Sequence, residues 1–138
     1  MKNNVLSVPD RRIIFLSETH CGSVHDRKIC DEQFMEFPSG INLWQDTGFQ
    51  GNFPENVNVR MPVKKPKGKE LTEEQTKYNR SISSFRILVE HAIGGVKRCR
   101  IVKERFRCRK FGFDDVVMEL ACGLHNLRIT LKNNDIYY

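Results

Sequence analysis

The chain has 138 residues, of which 39% are hydrophobic and 29% are charged, a composition that suits one soluble globular domain with a single core. Its longest apolar run has four residues, Ile13 to Leu16, which excludes a membrane-spanning helix. The opening residues, MKNNVLSVPDRR, contain no apolar stretch, so we expect no secretory signal. Five cysteines without a C-x-x-C spacing favour free thiols in the reducing cytoplasm over a disulfide framework.

The net charge of +6 is concentrated in two windows of the sequence. RMPVKKPKGK at 60–69 carries five basic residues and no acid, and KRCRIVKERFRCRK at 97–110 carries eight basic residues and one acid. Together the windows carry +12, so the rest of the chain carries −6. This localisation favours a polyanionic partner, and a solvated loop plus an exposed helix or strand face is the alternative. The candidate anion-binding side chains are Lys64, Lys65, Lys67, Lys69, Arg98, Arg100, Lys103, Arg105, Arg107, Arg109 and Lys110.

The first part of the chain predicts a strand and a helix. RRIIFLSETH at 11–20 contains β-branched and aromatic apolar residues, which are typical of a strand. GSVHDRKICDEQFMEF at 22–37 predicts a helix with Ser23 as its N-cap. The apolar residues that share part of one face of this helix are Val24, Ile29 and Phe34.

A second strand is predicted at 41–46, INLWQD, because the segment is too short for a helix between two glycines. It ends on a carboxylate, Asp46, which is either a solvated strand end or a group positioned for chemistry. The following residues, 47–70, have no apolar period and contain several prolines and glycines, so they predict a loop.

The second half of the chain is mostly helical in pattern. Thr72 and Gln75 have the spacing of a capping box at the start of a long helix. Its apolar residues follow a 3.6-residue period: Ile82, Phe85, Leu88, Val89, Ala92, Ile93 and Val96. Residues 98–110 predict a short strand or an extended basic segment, and a last helix is predicted from Asp114 to Leu131. The apolar positions of this last helix are Val116, Val117, Leu120, Leu124, Leu127 and Leu131. The order of elements indicates an α/β layer fold.

A line of polar residues follows one flank of the long helix: Asn79, Ser83, Arg86, Glu90 and Lys97. A carboxylate on that flank, Glu90, can face the end of a strand, where Asp46 is expected. Two carboxylates suit Mg²⁺, whose remaining ligands are usually waters and phosphate oxygens. The alternative is an ordinary surface ion pair between Arg86 and Glu90, one helical turn apart. The spacing leaves both open.

Four segments together resemble DDE-type transposases, specifically the catalytic domain of bacterial insertion-sequence transposases related to Harbinger-like nucleases. They are FLSETHCGSVHDRKI, LWQDTGFQG, KKPKGKELTEEQ and NRSISSFRILVEHAIGGVKRCRIV, and the resemblance runs from Val5 to Leu131. Arg86, Glu90 and Lys97 match the R-(3)-E-(6)-K part of that group's signature. The family usually has Tyr three residues before the Arg, where this chain has Ser83.

The resemblance implies an RNase H-like fold with three metal-binding carboxylates, Asp, Asp and Glu. Asp46 matches the second Asp and Glu90 the Glu, with Mg²⁺ or Mn²⁺ as the cofactor and with Arg86 and Lys97 as further catalytic residues. The first Asp lies upstream of the segment that MKNNVLSVPD resembles. We therefore expect the fold to be truncated at its N-terminus, with the first strand missing. The whole chain, 1–138, would be one partial catalytic domain with a basic loop at 52–70.

The function that the resemblance implies is metal-dependent DNA strand cleavage and transfer in transposition of an insertion element. Because one carboxylate is absent, we expect the chain to be inactive alone. Its implied partners are DNA at the element ends, and an N-terminal transposase half or a second copy of the chain, with no membrane partner. The alternatives are a non-catalytic DNA-binding remnant and a translated relic that folds poorly.

Other chemistry-bearing residues have simpler interpretations. The zinc-type residues His20, Cys21, His25, Cys30 and His91 lack ligand spacing and are expected to be scattered structural residues. Asp26 is expected as a favourable charge at a helix start rather than as the missing ligand. Cys122 is expected in the core, and His125 on a helix face. Gly94 and Gly95 are expected to weaken the end of the long helix or to let it pack closely.

Overall fold

The computed structural model describes residues 1–33, 36–51 and 54–134. It divides into two compact units, one formed by Met1–Val24 together with the chain from Leu88 onward, the other by His25–Ile87. The chain contains both strands and helices, so the predicted α/β class is confirmed at the level of mixed secondary structure. Within the described part of the chain, no helix is both long and apolar enough to cross a membrane.

The first unit contains an antiparallel hairpin and most of the chain's last two helices. β1 pairs with β2 in a register that sets Val5 opposite Leu16, with an irregularity after Leu6. The predicted strand at 11–20 is confirmed by β2. The elements of this unit are β1 (Val5–Ser7), β2 (Ile13–Leu16), α3 (Arg100–Lys103), α4 (Phe113–Asn134) and the last turns of α2 (Glu73–Val96).

The core of the first unit is formed where β2, α2 and α4 meet. Its buried residues are Ile13, Ala92, Val96, Ala121 and Cys122, with Val5, Leu16, Cys99 and Val102 packed against them. Cys122 is therefore in the core, as predicted. Burial raises the pKa of the Cys122 thiol, with a smaller contribution from Cys99, so Cys122 stays protonated. All five cysteines are free thiols.

Side chains of α4 take the place of a neighbouring strand along β2. The amide of Asn126 accepts a hydrogen bond from the Ile13 N–H (2.8 Å) and donates one to the Ile13 carbonyl (2.7 Å). Asp115 accepts a third bond, from the Thr19 N–H at 2.6 Å. Edge-strand backbone groups that are partly buried need such partners, so these contacts fix α4 against the hairpin.

Gly95 allows α2 and α4 to approach closely. His125 is buried on α4, and its Nε2 lies 2.9 Å from the Arg11 carbonyl oxygen, so this nitrogen carries the hydrogen. The other ring nitrogen, Nδ1, occupies the space that a Cβ at Gly95 would need. Arg128 completes the contact by donating to the Gly95 carbonyl at 2.9 Å. The prediction of close packing is confirmed at Gly95, and His125 is buried rather than merely on a helix face.

Alanine substitution of the two neighbouring glycines is expected to have opposite effects. Gly95→Ala should lower the free energy of unfolding by about 1–3 kcal/mol, because the new methyl group meets the held His125 ring. Gly94→Ala, with nothing near its Cβ position, should raise it by about 0.5–1 kcal/mol through helix propensity. Urea unfolding of both variants checks this, and equal shifts in the same direction would contradict the packing described.

The second unit is built on a parallel pair of strands. β3 pairs with β4 in a register that sets Leu43 opposite Val59. The predicted strand INLWQD is confirmed, although its regular part ends at Trp44. The elements of this unit are α1 (Asp26–Glu32), β3 (Asn42–Trp44), β4 (Asn58–Arg60) and the first turns of α2. Its buried apolar residues are Ile29, Leu43 and Ile82.

The predicted capping box begins α2. The Gln75 N–H donates to Thr72 Oγ1 (3.2 Å), and the Thr72 N–H donates to Gln75 Oε1 (3.1 Å). Two backbone donors that have no partner within the helix are thereby satisfied. The helix runs from Glu73 to Val96, and the predicted long amphipathic helix is confirmed.

The predicted start of α1 is wrong. Ser23 is not the N-cap of α1, because the Val24 N–H closes a turn onto the Cys21 carbonyl and the helix begins only at Asp26. Asp26 does lie in the first turn, as predicted. Phe34, predicted on the face of this helix, lies outside the described residues.

Two segments differ from their predicted secondary structure: the predicted loop at 47–70 and the predicted short strand or extended segment at 98–110. β4 lies inside the predicted loop at 47–70. It was not predicted, because three residues are too few to show an alternating pattern. Of the basic loop at 52–70, residues 52–53 lie outside the described part of the chain. Residues 98–110 form no strand: α3 is a helical turn, and an extended stretch follows it.

Most of the apolar positions named for the last helix lie on the exposed side of α4. The residues that α4 buries are Val117, Met118, Ala121, Cys122 and His125. Five of the six named apolar positions are exposed: Val116, Leu120, Leu124, Leu127 and Leu131. The smaller side chains fit against β2, and the bonds from Asn126 to Ile13 and from Thr19 to Asp115 fix the orientation of α4. The larger leucines therefore face away from the hairpin.

Candidate metal and nucleic-acid site

Asp46 begins the turn that follows β3. Its Oδ1 accepts a hydrogen bond from the Thr47 N–H at 2.8 Å and caps a short 3-10 helix, Thr47–Phe49. The turn ends at Gly51, whose φ of +92° is a conformation that only glycine adopts readily. The carboxylate is thus held by its own turn and remains half exposed, at 52% of its side-chain surface.

An aromatic stack connects the end of β3 to α2. The rings of Trp44 and Phe85 lie 4.1 Å apart between centroids and 18° from parallel. Such a stacked pair contributes about 0.5–1.5 kcal/mol beyond the area it buries. Trp44 lies two residues before Asp46, and Phe85 lies next to Arg86. The stack therefore fixes the backbone positions from which the side chains of Asp46 and Arg86 extend.

Arg86 is brought to Asp46 within the second unit. Arg86 Nη2 lies 3.8 Å from Asp46 Oδ2, and 60% of the Arg86 side-chain surface is exposed. This separation is too long for a direct hydrogen bond, and an exposed pair of this kind stabilises a protein by less than about 1 kcal/mol. The pair therefore contributes little to the stability of the fold.

The N-terminus of α1 packs over the same turn. Asp26 Oδ2 lies 3.3 Å from the position that a Cβ on Gly48 would take. Arg27 donates to the Gln50 carbonyl at 3.4 Å, and its guanidinium occupies the space beside Gly51. The two glycines of the DTGFQG turn thus make room for α1.

Asp46 fits one feature of a hard-cation site. Mg²⁺ usually binds through one or two carboxylates, with waters and phosphate oxygens as the remaining ligands. The side chain of Asp46 is half exposed and its Oδ2 lies 3.8 Å from Arg86 Nη2, so a lone pair remains for such an ion. Within residues 1–33, 36–51 and 54–134, however, no three His, Cys, Asp or Glu side chains are clustered to hold a metal without other ligands. This turn therefore supplies one half-exposed carboxylate and no complete set of protein ligands among the described residues.

The other two predicted catalytic residues lie in the first unit. Glu90 is exposed on α2, one helical turn after Arg86, and has an interaction partner. Lys97 is exposed and follows the last residue of α2, with its N–H bonded to the Ile93 carbonyl at 3.0 Å. Both side chains thus face solvent.

The first basic window, 60–69, lies in the second unit after β4. The side chains of Lys64, Lys65, Lys67 and Lys69 are all exposed. Lys65 Nζ lies 2.7 Å from Glu70 Oε1 in an exposed ion pair. Exposed lysines on an irregular segment have the accessibility that phosphate contacts need.

The second basic window, 97–110, lies in the first unit and is exposed at every predicted anion-binding residue. These residues are Arg98, Arg100, Lys103, Arg105, Arg107, Arg109 and Lys110. Arg100 pairs with the single acid of the window, Glu104, at 3.0 Å within α3. Phe106 is half-buried and lies against Phe113, with ring centroids 6.2 Å apart, which ties the extended part of the window to the start of α4.

The sequence reasoning missed two contacts that position these groups. The first is the Trp44–Phe85 stack, for which the only signal was an aromatic residue at a strand end and another in the helix period. The second is Asn79, whose amide bonds both backbone groups of Val63. Asn79 was recognised only as the first residue of the polar line on α2.

Comparison with known proteins agrees with the family suggested by the motifs. Residues 1–126 match the model of the DDE superfamily endonucleases, and the chain belongs to this family. It is similar to a probable transposase for insertion sequence element IS702 from Microchaete diplosiphon, with 33% identity over 113 residues. The match covers 80% of this chain and 40% of that relative, so the chain spans about 40% of the relative's length. No solved structure matches the chain.

Proposed function

We propose that the chain is part of a DNA transposase that cleaves and transfers DNA strands during transposition of an insertion element. An RNase H-like fold would carry this activity. The observation that carries the proposal is the approach of Arg86 to Asp46 at the end of β3, since two residues of the family motif from distant parts of the sequence meet there. Membership of the DDE superfamily endonucleases supports the same activity.

Asp46 and Glu90 are the proposed ligands of a divalent cation, Mg²⁺ or Mn²⁺. The assignment of Glu90 rests on the R-(3)-E-(6)-K motif, and that of Asp46 on the motif and on its exposed carboxylate. When bound, the cation supplies activation of the attacking oxygen and stabilisation of the leaving oxygen. Arg86 and Lys97 neutralise charge on the phosphate, and Arg86 does so from beside Asp46.

DNA at the element ends is the proposed substrate, bound through its phosphates by the two basic windows. Lysine and arginine contacts to phosphate position a protein on DNA without reading its sequence. The exposure of all eleven predicted side chains supports this role.

A further segment of the transposase is the proposed partner of the exposed leucines on α4. The chain spans about 40% of the length of its relative, so most of a comparable protein lies outside the segment matched here. Leu120, Leu124, Leu127 and Leu131 form an apolar stripe at helical spacing that a partner would bury. Size-exclusion chromatography with light scattering distinguishes the two possible partners of this stripe. A monomer supports a further segment of the transposase as the partner. A dimer that Leu120→Glu dissociates supports a second copy of the chain.

A non-catalytic DNA-binding protein is the second candidate function. It is favoured by the exposed basic windows together with the lack of a three-residue metal cluster among the described residues. Under this alternative, Asp46→Asn and Glu90→Gln leave DNA affinity unchanged or raise it, because removing a negative charge near phosphate is favourable. Neither variant changes any response to metal.

The chain alone is expected not to cleave DNA. The test incubates purified chain with element-end DNA and Mg²⁺ or Mn²⁺ and looks for nicked or joined strands on a denaturing gel. We expect none, because the family's first Asp has no match in this sequence. Robust cleavage that Asp46→Asn and Glu90→Gln both abolish would contradict the incomplete site and leave the transposase activity standing.

A further inference from the structure

We propose that Asn79 is a positioning residue that holds the lysines of the window 60–69 in place for DNA phosphates. The inference rests on the DNA binding proposed above. It starts from the side-chain amide of Asn79, which accepts a hydrogen bond from the Val63 N–H (2.8 Å) and donates one to the Val63 carbonyl (3.0 Å). Both bonds are partly buried, so the amide takes the place that a neighbouring strand would have beside Val63.

The chain before Val63 is already fixed. β4 pairs with β3 as far as Arg60, and the Gln45 N–H donates to the Arg60 carbonyl at 2.9 Å. Pro62 restricts the backbone directly before Val63. The bonds from Asn79 extend this order from the end of β4 to the residue that precedes Lys64.

The chain after the lysines is fixed by the start of α2. The reciprocal bonds between Thr72 and Gln75 hold the first turn of α2. Asn79 lies on the same helix, about two turns further along. The lysine segment is thus anchored to one helix at both ends. Within it, Pro66 restricts the backbone and Lys65 pairs with Glu70 at 2.7 Å.

Anchoring both ends reduces the conformational freedom that the segment loses when it binds. A flexible lysine segment must be ordered at the moment of binding, which weakens the affinity, whereas a held segment is ordered beforehand. Without the Asn79 amide, the chain that is not held would begin directly after Arg60 instead of after Val63, and would extend to the start of α2. DNA binding through the lysines should therefore weaken although no phosphate contact has been removed.

The test is a double-mutant cycle on DNA affinity, measured by fluorescence anisotropy with a labelled duplex at fixed salt. Asn79→Ala should weaken binding about 3- to 10-fold, the size expected for ordering a few residues. In a chain whose four lysines Lys64, Lys65, Lys67 and Lys69 are replaced by alanine, the same substitution should have no further effect. Equal weakening in both backgrounds, or no weakening in the wild-type background, would overturn the inference.

Asn126→Ala is the matched control. Asn126 makes the same pair of bonds to a single backbone residue, Ile13, but in the first unit, whereas the lysine segment belongs to the second. It should lower the midpoint of thermal unfolding and leave DNA affinity within about twofold. If Asn79→Ala does not fold, Asn79→Gln keeps the amide but misplaces it, and its loss of affinity should again vanish in the chain without the four lysines.

The outcomes distinguish this inference from the proposed function. A wild-type chain that binds no DNA contradicts the proposed function itself. A wild-type chain that binds DNA, with Asn79→Ala acting independently of the lysines, contradicts only the role of Asn79.

Discussion

Replacing Lys64, Lys65, Lys67 and Lys69 by alanine is expected to remove most of the salt dependence that the window 60–69 gives to DNA binding. Each phosphate contact contributes about 0.9 to the slope of log affinity against log salt concentration, so losing four contacts should reduce that slope by up to about 3.6. Between 50 and 200 mM salt, a difference of this size corresponds to a roughly 100-fold change in relative affinity. The four side chains are exposed, as this prediction requires.

The measurement is fluorescence anisotropy over a salt series with two duplexes of unrelated sequence. Both duplexes should lose the same part of the slope, because phosphate contacts carry no sequence information. The control replaces four exposed basic residues outside the windows, Lys28, Lys77, Arg80 and Lys132, which changes the net charge equally. If the control reduces the slope as much as the lysine variant, binding depends on net charge alone and the window has no special role.

Local sequence chemistry predicted the parts of the fold that local interactions determine. Thr72 and Gln75 lie in one helical turn, so their spacing was sufficient to predict the start of α2. The apolar run at Ile13–Leu16 likewise predicted β2. In both cases the residues that form the structure are neighbours in the sequence.

Long-range contacts explain the errors. The face that α4 buries depends on where β2 and the residues after it lie, because Asn126 bonds Ile13 of β2 and Asp115 bonds Thr19, about a hundred positions earlier in the sequence. The leucines carried the stronger pattern, but hydrophobicity alone does not identify which face of the helix is buried. β4 was missed for a similar reason, because its short strand is defined by pairing with β3 and not by a pattern of its own.

The candidate site was predicted only where a motif names its residues. Asp46 and Arg86 were both identified by their likeness to the family, and the ion pair between them adds a contact that spacing could not supply. The stack of Trp44 on Phe85 and the bonds from Asn79 to Val63 join residues 16 or more positions apart. Such contacts have no signature in one sequence.

Substitution of Asp46 is expected to have the largest effect on metal binding. Mutating residues that merely support a metal ligand typically weakens affinity 10- to 100-fold, so Asp46→Asn should weaken Mn²⁺ binding by at least about tenfold. Glu90→Gln should have an effect of the same order if Glu90 is the second ligand. Asp31→Asn is the matched control, because Asp31 is an exposed carboxylate of the same unit that pairs with Arg27 on α1.

The fluorescence of Trp44 during a Mn²⁺ titration tests the central claim most directly. Trp44 is the single tryptophan of the chain and lies two residues before Asp46, so a paramagnetic ion bound there should quench it. We expect saturable quenching in the wild-type chain and in Asp31→Asn, and a curve shifted to at least about tenfold higher Mn²⁺ in Asp46→Asn. A wild-type chain without saturable quenching, or an Asp46→Asn curve that overlays the wild-type curve, would contradict a metal site at the end of β3.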